Sequence, residues 1–388
     1  MTILLPAHKI EPPKWMQDPD LIRVLDTLND DDINARMVGG CIRNHYMNKN
    51  IYDIDIACKY TPEKSIKILN SNNIKTIPTG IKHGTITVNI DGKNFEITTL
   101  RRDTNTDGRH TEVVFSDNWH EDAQRRDFTI NALYADRDGS IYDPLNTGIN
   151  DLQSNIVRFI GDAEQRIQED HLRILRFFRF FAEYGTNTPD EKSFNACVKY
   201  KHTISELSDE RITDELYKIL SKDSVPRAIE AMEKCGLFDL TPDTPHNLSE
   251  LIASQVQLNV ININSRFYTT KISKKYIKNN KIKLFFKSLN TFKKQWKNNI
   301  KESLYRFDRD IVTQGLLILK SQGHTIDDIQ ISDAMNTPIP DLPITATDIM
   351  DHFKIPQGIE IGKKLKKADA IWIESNFTLT LDQILEKI

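Results

Sequence analysis

Two glycines followed by two aspartates form the pattern in this sequence that best fits a chemical site. Gly39 and Gly40 come directly after an apolar run, Arg43 follows them, and Asp53 and Asp55 come ten and twelve residues after Arg43. Paired glycines let the backbone turn tightly beside a ligand, and a guanidinium binds phosphate oxygens. Residues two apart in a strand share a face, so the two carboxylates suit Mg²⁺. Either half alone is more typical of a plain turn or a solvated strand edge, whereas the combination favours a nucleotide site.

Further along the chain, arginines stand beside acidic residues. Arg125, Arg126 and Asp127 are consecutive, and an arginine fork such as that of Arg126 can donate to a ribose hydroxyl or a phosphate oxygen. The alternative is an ion-pair network that braces this region against the next helix. Glu96, in a predicted strand, is a candidate third metal carboxylate, and its alternative is an outward-facing charge.

Asp170 and Arg173 are three residues apart in a predicted helix, a spacing that places both side chains on one face. A carboxylate only accepts hydrogen bonds and a guanidinium only donates them. The pair therefore matches the exocyclic amine and neighbouring acceptor of cytosine or adenine. Uracil and guanine present a carbonyl instead of the amine, and an unpaired buried group costs about 1–3 kcal/mol. One pair of side chains can thus select C and A without a nucleic-acid template.

These motifs, in this order, resemble the class II branch of the nucleotidyltransferase superfamily, to which bacterial CCA-adding enzymes and poly(A) polymerases belong. The resemblance rests on G-G-x-x-R followed by D-x-D, on RRDFTINAL at 125–133 and on E-D-x-x-R at 169–173, and it extends over most of the chain. Asn44 and Asn48 stand where the family pattern has an acidic residue and a glycine. The segment 79–85 is similar to the CCA-adding type.

The resemblance implies roles for individual residues. Asp53 and Asp55 are the implied catalytic carboxylates and hold Mg²⁺ while the 3′-hydroxyl of a tRNA attacks the α-phosphate of CTP or ATP. The residues implied in nucleotide binding are Gly39, Gly40, Arg43, Arg126, Asp170, Arg173, Arg176 and Arg179. For Arg176 and Arg179 the alternative is pairing with an acidic neighbour. Enzymes that add only C-C or only A, poly(A) polymerases and an inactive RNA-binding protein stay open as alternatives.

The segments around these motifs predict an α+β fold. Apolar or alternating runs predict strands at 35–38, 54–57, 85–90 and 95–100. Helical spacing takes over after Asp151, with helices expected at 162–184, 209–221 and 225–235 and connections at 241–247 and 337–345. The predicted domains are a nucleotidyltransferase palm, a small mixed sheet with flanking helices, at 1–150, a helical neck with the nucleotide-base template at 151–223, a helical body at 224–335 and a helical tail at 336–388.

Composition excludes several classes of protein. With 39% hydrophobic and 28% charged residues, the 388-residue chain can form real cores, and four cysteines without a C-x-x-C pair argue against a disulfide scaffold. No apolar run approaches the ~18 residues of a membrane span. The first residues have no basic lead typical of a signal peptide. We therefore expect a cytoplasmic protein without a membrane partner.

The net charge of −3 conceals a basic stretch at 266–297. Eleven Lys and Arg residues but no Asp or Glu occur between 251 and 300, with aromatic residues among them. This composition predicts contact with an RNA backbone through Lys274, Lys275 and Lys278, against the alternative of solvated lysines over an aromatic core. Together, this composition and the resemblance predict that the partners are the tRNA 3′ end, CTP and ATP. DNA is not an expected partner. The oligomeric state stays open, and the polar segment 101–111 is predicted to be a mobile loop needed for adding A.

Overall fold

The computed structural model describes residues 4–30, 32–104, 112–186, 188–222, 224–241, 243–272 and 279–388. The chain forms two compact units, Met1–Leu237 and Phe238–Ile388. The first unit contains every residue implied in catalysis and nucleotide binding. Lys274, Lys275, Lys278 and most of the predicted mobile loop lie outside the described residues. None of the described helices is both long and apolar enough to cross a membrane.

A mixed sheet forms the centre of the first unit. The described strands are β1 (His8–Lys9), β2 (Ala35–Val38), β3 (Ile54–Cys58), β4 (Thr76–Gly80), β5 (Thr85–Ile90), β6 (Lys93–Thr99), β7 (Arg101–Thr104), β8 (Glu112–Phe115), β9 (Tyr134–Ala135) and β10 (Ser140–Tyr142). Eight of them form one sheet in the order β1-β10-β9-β2-β3-β6-β5-β4. Within it β3 and β6 are parallel, and the other neighbours are antiparallel.

The remaining two strands correct one prediction. β7 pairs with β8 as a separate antiparallel hairpin, in which Arg101 is opposite Phe115. The prediction of a mobile loop at 101–111 is therefore wrong for 101–104, which form a strand. Hydrogen bonding to a strand that follows the loop orders these polar residues, although their sequence has no strand-like alternation.

Helices surround the sheet and continue beyond it. Those of the first unit are α1 (Pro19–Leu28), α2 (Gly40–Tyr46), α3 (Pro62–Ser71), α4 (Trp119–Gln124), α5 (Gly148–Gln153), α6 (Ala163–Glu169), α7 (Arg173–Tyr184), α8 (Glu191–Tyr200), α9 (Asp209–Leu220) and α10 (Val225–Cys235). No strand follows β10 in the described residues. The predicted α+β class, a mixed sheet with flanking helices followed by helices, is confirmed.

The helix expected at 162–184 is divided into α6 and α7. Asp170 ends α6 with an extended backbone (φ −153°, ψ 106°), and its Oδ1 accepts the backbone N–H of Leu172 at 3.1 Å. Aspartate competes in this way with the helical hydrogen bonds of its own backbone. Arg173 then begins α7. The expectation that Asp170 and Arg173 share one helix face is therefore wrong.

Buried aromatic side chains hold the end of β2 and the helix α7 in the core of the first unit. Trp119 and Tyr134 pack edge to face with ring centroids 5.2 Å apart, in a buried cluster that also includes Val38, the last residue of β2. In α7, the phenylalanines at 177, 178, 180 and 181 are buried. Their burial anchors that helix in the core of the first unit.

In the described residues of the second unit, all regular secondary structure is helical. Its helices are α11 (Asp243–Gln257), α12 (Ile263–Thr270), α13 (Asn280–Gln295), α14 (Ile300–Arg306), α15 (Arg309–Ser321), α16 (Asp328–Asn336), α17 (Ala346–Phe353), α18 (Ile359–Glu374) and α19 (Leu381–Leu385). The predicted connection at 241–247 is wrong from Asp243 onwards, because α11 begins there, whereas that at 337–345 is confirmed. One apolar cluster spans 251–334 and a second spans 344–384.

The aromatic residues of the basic stretch belong mainly to the core. Phe267, Phe286 and Phe292 are buried, which confirms the core alternative for these three. Lys281, Lys283, Lys287 and Lys294 of α13 are exposed, whereas Lys293 is partly buried and donates to Oε1 of Gln322 at 2.7 Å. The separation of buried rings from exposed lysines is that of an amphipathic helix, whose basic face stays available to a partner.

Candidate active site

The glycine turn and the aspartate pair meet on neighbouring strands. Val38, directly before Gly39, is opposite Asp55 in the antiparallel pair of β2 and β3. On the other side of β3, Asp55 is opposite Glu96 of β6 in the parallel pair. The sheet therefore brings together the turn, the D-x-D motif and Glu96 from three separate segments of sequence.

The backbone conformation and close packing at position 39 require a glycine. Its φ of +72° lies in the left-handed region, which favours glycine, and a Cβ there would lie 3.2 Å from the carbonyl oxygen of Asn131 and 3.6 Å from Nη1 of Arg126. Its N–H donates to the carbonyl of Leu133 at 2.9 Å. The turn is thus packed against the segment 125–133, and α2 begins at the next residue.

The carboxylates form a zone of concentrated negative charge. Desolvation raises the pKa of Asp55, Glu96 and Asp53 raise it further, and Arg126 and Arg43 oppose the shift. The described residues include no group of three or more His, Cys, Asp or Glu arranged as a metal site. Asp53 and Asp55 fit a hard cation that completes its coordination with oxygens from water or a substrate phosphate.

Arg43 lies beneath the glycine turn and is held by uncharged groups. Nε and Nη2 donate to Oδ1 of Asn44 at 3.2 and 2.9 Å, and Nη1 donates to Oδ1 of Asn131. The guanidinium also lies over the ring of Tyr184, 4.3 Å from its centroid. Asn44 accepts the Tyr184 hydroxyl at 3.0 Å as well, so the position of Arg43 is set on several sides.

Arg126 is held differently, by a carboxylate. Its Nη2 donates to Oδ2 of the buried Asp122 at 3.0 Å, and the Tyr134 hydroxyl donates to the same oxygen at 2.7 Å. Arg125 binds the other oxygen of Asp122 through Nε at 2.8 Å. Burial works against the charge of Arg126, but Asp122 and Tyr134 raise the pKa of this arginine above its usual value. The guanidinium therefore stays charged beside Gly39.

In this structure Asp127, Arg176 and Arg179 form ion pairs, which was the alternative to nucleotide binding for the two arginines. Nε of Arg176 donates to Oδ2 of Asp127 at 2.9 Å, and Arg179 donates to the buried Glu215. Burial opposes ionisation of Asp127, yet Arg176 and Asn131 lower its pKa to about 2. Because Asn131 donates to Asp127 at 2.9 Å and accepts from Arg43, one continuous network joins α2, the R-R-D run and α7.

Asp170 and Arg173 are each occupied by another residue. Oδ1 and Oδ2 of Asp170 accept Nη2 of Arg211 at 2.9 and 3.0 Å. Nη1 of Arg173 donates to Oε2 of Glu169 at 2.7 Å and to the carbonyl of Arg166 at 2.8 Å. The Asp170 side chain is 30% exposed and that of Arg173 is 12% exposed. A base that uses this pair would exchange some of these contacts for its own.

Family models and relatives match much of this chain. The Poly A polymerase head domain matches residues 35–158, and the probable RNA and SrmB-binding site of polymerase A matches residues 188–245. The mitochondrial CCA tRNA nucleotidyltransferase 1 of Mus musculus is 32% identical over 387 residues, which cover 91% of this chain and 86% of the relative. The chain belongs to the CCA-adding enzyme family.

Bacterial relatives and solved structures extend the similarity. The CCA-adding enzyme of Staphylococcus aureus is 29% identical over 361 residues, covering 86% of this chain and 88% of that enzyme. The fold is similar to that of the CCA-adding enzyme of Bacillus stearothermophilus in complex with CTP, with a TM-score of 0.73, 24% identity and coverage of 94% and 93%. The Thermotoga maritima enzyme complexed with tRNA_CCA gives a TM-score of 0.68, at 17% identity and coverage of 100% and 98%.

Several residues of this member of the CCA-adding enzyme family escaped sequence reasoning. Asp122 had a usable signal, since acidic residues three and four positions before arginines on a helix can pair with them. Asn131 lies in the RRDFTINAL run, but neither its contact with Arg43 nor that of Glu215 with Arg179 has a local signal, because they span 88 and 36 residues of sequence. Arg211 meets Asp170 across 41 residues, so only the fold reveals this pair.

Proposed function

We propose that this chain adds C, C and A to the 3′ end of tRNA. The O3′ atom of the tRNA attacks the α-phosphorus of CTP or ATP, a new O–P bond forms, and the bond to the departing pyrophosphate breaks. The observation that carries this proposal is the pairing of Val38 with Asp55, because it places the glycine turn and the carboxylates at one site. The CTP bound by the Bacillus stearothermophilus enzyme and the tRNA bound by the Thermotoga maritima enzyme support the same substrates.

Asp53 and Asp55 are the proposed metal ligands and catalytic carboxylates. Their acceptor-only oxygens fit Mg²⁺, which when bound supplies activation of the attacking hydroxyl and neutralisation of charge on the leaving pyrophosphate. Asp55 has to be ionised for this role, and its raised pKa makes the role sensitive to acid. Glu96 is opposite Asp55 and is proposed to adjust that pKa or to act as a further ligand.

The arginines are proposed to bind the triphosphate and the sugar. Both guanidinium groups lie beside the glycine turn, because a Cβ on Gly39 would be 3.6 Å from Nη1 of Arg126 and one on Gly40 would be 3.7 Å from Nη2 of Arg43. A guanidinium donates in a fixed fork and remains charged, so it can orient a phosphate without proton transfer. Arg176 and Arg179 join this role once a nucleotide competes for their bonds to Asp127 and Glu215.

Asp170 and Arg173 are proposed to select the base. The carboxylate accepts the amine of cytosine or adenine, and the guanidinium donates to the neighbouring ring nitrogen. Arg211 and Glu169 hold the two side chains until a base arrives, so selection depends on an exchange of hydrogen bonds. A uracil or guanine carbonyl cannot replace Arg211 as a donor to Asp170, and it is therefore rejected.

Product sequencing tests this function directly. A tRNA transcript without its CCA end is incubated with the protein, Mg²⁺ and each of the four nucleoside triphosphates, singly and in mixtures. We expect two cytidines from CTP alone, C-C-A from CTP with ATP, and no product from UTP or GTP. Growth of a long adenosine tail would instead identify a poly(A) polymerase, and an end at C-C in the presence of ATP would identify a CC-adding enzyme.

Two further parts of the proposal are tested by the same assay and by cell fractionation. Deletion of 104–109, of which 105–109 lie outside the described residues, is predicted to leave both cytidines and to suppress the terminal adenosine strongly. A deletion variant that completes C-C-A at the normal rate would contradict that role. The expected cytoplasmic location is checked by fractionation of the source cells with an antibody to the chain.

A further inference from the structure

The five arginines proposed to bind nucleotide differ in how their charge is balanced. Arg126 contacts Asp122, Arg173 contacts Glu169, Arg176 contacts Asp127 and Arg179 contacts Glu215, each at ion-pair distance. In the described part of the chain, no carboxylate lies at ion-pair distance from Arg43. Its charge is therefore the one among the five that no acidic partner already balances.

Asn44 is the residue that makes this difference. Its single Oδ1, a neutral amide oxygen, accepts from both Nε and Nη2 of Arg43, whereas a carboxylate commonly binds an arginine with two charged oxygens. Its own amide nitrogen donates to the carbonyl of Asn50 at 2.9 Å, in the segment that leads to Asp53. This bond fixes which end of the Asn44 amide faces Arg43.

The surroundings of Arg43 reinforce this arrangement. Asn131 is a second neutral acceptor, and the Tyr184 and Phe180 rings lie 4.3 and 5.1 Å from the guanidinium carbon. Arg43 is only 9% exposed, so water screens its charge poorly. The nearby negative charge that it senses is Asp55, whose pKa it helps to lower, and that carboxylate is assigned to the metal.

We infer that Asn44 is a positioning residue that orients Arg43 while leaving its full positive charge for the triphosphate. This inference rests on the proposed function. It assigns the anchoring of the phosphates at the glycine turn chiefly to Arg43, and it assigns to Arg126, Arg176 and Arg179 a role that begins with the exchange of an existing ion pair. The family pattern has an acidic residue at position 44, so the neutral amide of Asn44 is the departure that leaves Arg43 of this chain oriented but without an ion-pair partner among the described residues.

We compare the binding of CTP and of cytidine to the wild type and to two variants of Asn44. The comparison separates the effect of charge at position 44 from the effect of orienting Arg43. Asn44→Asp retains an acceptor for Arg43 and adds a negative charge, whereas Asn44→Ala removes the acceptor without adding charge. We expect Asn44→Asp to weaken CTP binding about tenfold, as one added charge in a poorly screened site does, and to leave cytidine binding within twofold. Its CTP affinity should also depend less on salt concentration than that of the wild type.

The matched control is Asn29→Asp. Asn29 is an asparagine of the same unit whose backbone N–H caps the C-terminus of α1 and whose side-chain nitrogen donates to the carbonyl of Ala35 at 3.0 Å, with no contact to the candidate site. This control should bind CTP within twofold of the wild type. Thermal unfolding of each variant shows whether it is folded, and Asn44→Gln, which keeps a neutral amide, should recover more CTP affinity than Asn44→Ala.

The outcomes distinguish the inference from the proposed function. If Asn44→Asp binds CTP as tightly as the wild type, or if the Asp and Ala variants lose CTP and cytidine affinity equally, the charge of Arg43 is not reserved for phosphate and the inference is overturned. If the wild type binds CTP but adds nothing to tRNA, the proposed function fails while the binding comparison still decides the role of Asn44.

Discussion

Asp122 is the residue whose replacement tests the site most broadly, because it contacts Arg125, Arg126 and Tyr134 while almost completely buried. The perturbation is Asp122→Asn, which keeps the shape and removes the charge. Burial opposes ionisation of Asp122, but the two arginines and the tyrosine lower its pKa from 3.8 to about 2. At about 1.4 kcal/mol per pKa unit, this lowering stabilises the folded state by about 2 kcal/mol at neutral pH.

The variant should lose about 2–3 kcal/mol of unfolding free energy, slightly less than the roughly 3–5 kcal/mol typical when a buried pair loses one partner outright, since asparagine can still accept. Because the folded pKa lies below the unfolded one, the stabilisation is present above about pH 4 and disappears as the pH falls towards 2. The difference between variant and wild type should therefore shrink by about 1 kcal/mol between about pH 7 and about pH 3.

The Asp122→Asn variant should lose catalytic efficiency as well as stability. Without its carboxylate partner, Arg126 loses its fixed position beside Gly39, and kcat/KM for CTP should drop about 10- to 100-fold, the range known for residues that orient metal-ligating side chains. Urea unfolding followed through Trp119, with the other three tryptophans replaced by phenylalanine, measures the stability of the first unit. Trp119 suits this assay because its ring packs against Tyr134.

Asp136→Asn is the matched control. Asp136 binds Nε of Arg36 at 2.9 Å and accepts the Tyr142 hydroxyl at 2.7 Å, the same types of partner as those of Asp122. It touches none of the proposed nucleotide-binding residues, so it should lose stability but keep kcat/KM for CTP per folded molecule. Equal losses of activity in both variants, or full activity of Asp122→Asn, would refute the reasoning that Asp122 acts through Arg126.

Three further predictions concern single features of the site. Asp170→Ala should lose discrimination against UTP more than it loses CTP binding, as measured by addition with each nucleotide, and an equal loss for all four nucleotides would contradict base selection by this residue. Glu96→Gln should move the acid limb of the activity profile to lower pH, because removing a negative charge lowers the raised pKa of Asp55; an unchanged limb would show that Glu96 does not influence Asp55. Replacing Lys281, Lys283 and Lys287 with Glu, on the exposed side of α13, should raise the KM for tRNA and flatten its salt dependence without changing the KM for CTP, and unchanged tRNA binding would assign these lysines to solvent.

The sequence predicts the buried elements of the fold well. The strand at 35–38 matches β2, and the strand at 54–57 differs from β3 by one residue, because apolar side chains on a sheet face leave a clear pattern. β1, β9 and β10 have only two or three residues each, too few to show any alternation. Their existence depends on pairing with distant strands, which no local pattern contains.

The sequence nominates residues for the candidate site but does not predict the contacts between them. Spacing and resemblance indicate Asp53, Asp55 and the arginines, since these side chains carry chemistry in short motifs. The break at Asp170 arises from a side-chain bond to its own backbone, and helical periodicity does not detect it. The bond between Arg211 and Asp170 is likewise tertiary, so it becomes visible only in the folded chain.

Nucleotide addition by Asp55→Asn is the most direct test that the paired carboxylates perform the chemistry. A single-turnover reaction with excess protein, a tRNA that lacks its CCA end, CTP and Mg²⁺ is followed by electrophoresis, and tRNA binding is measured in parallel. We predict that addition of cytidine is abolished while tRNA binding is nearly unchanged. Substantial addition by the folded variant would contradict the assignment of Asp55 as a catalytic metal ligand.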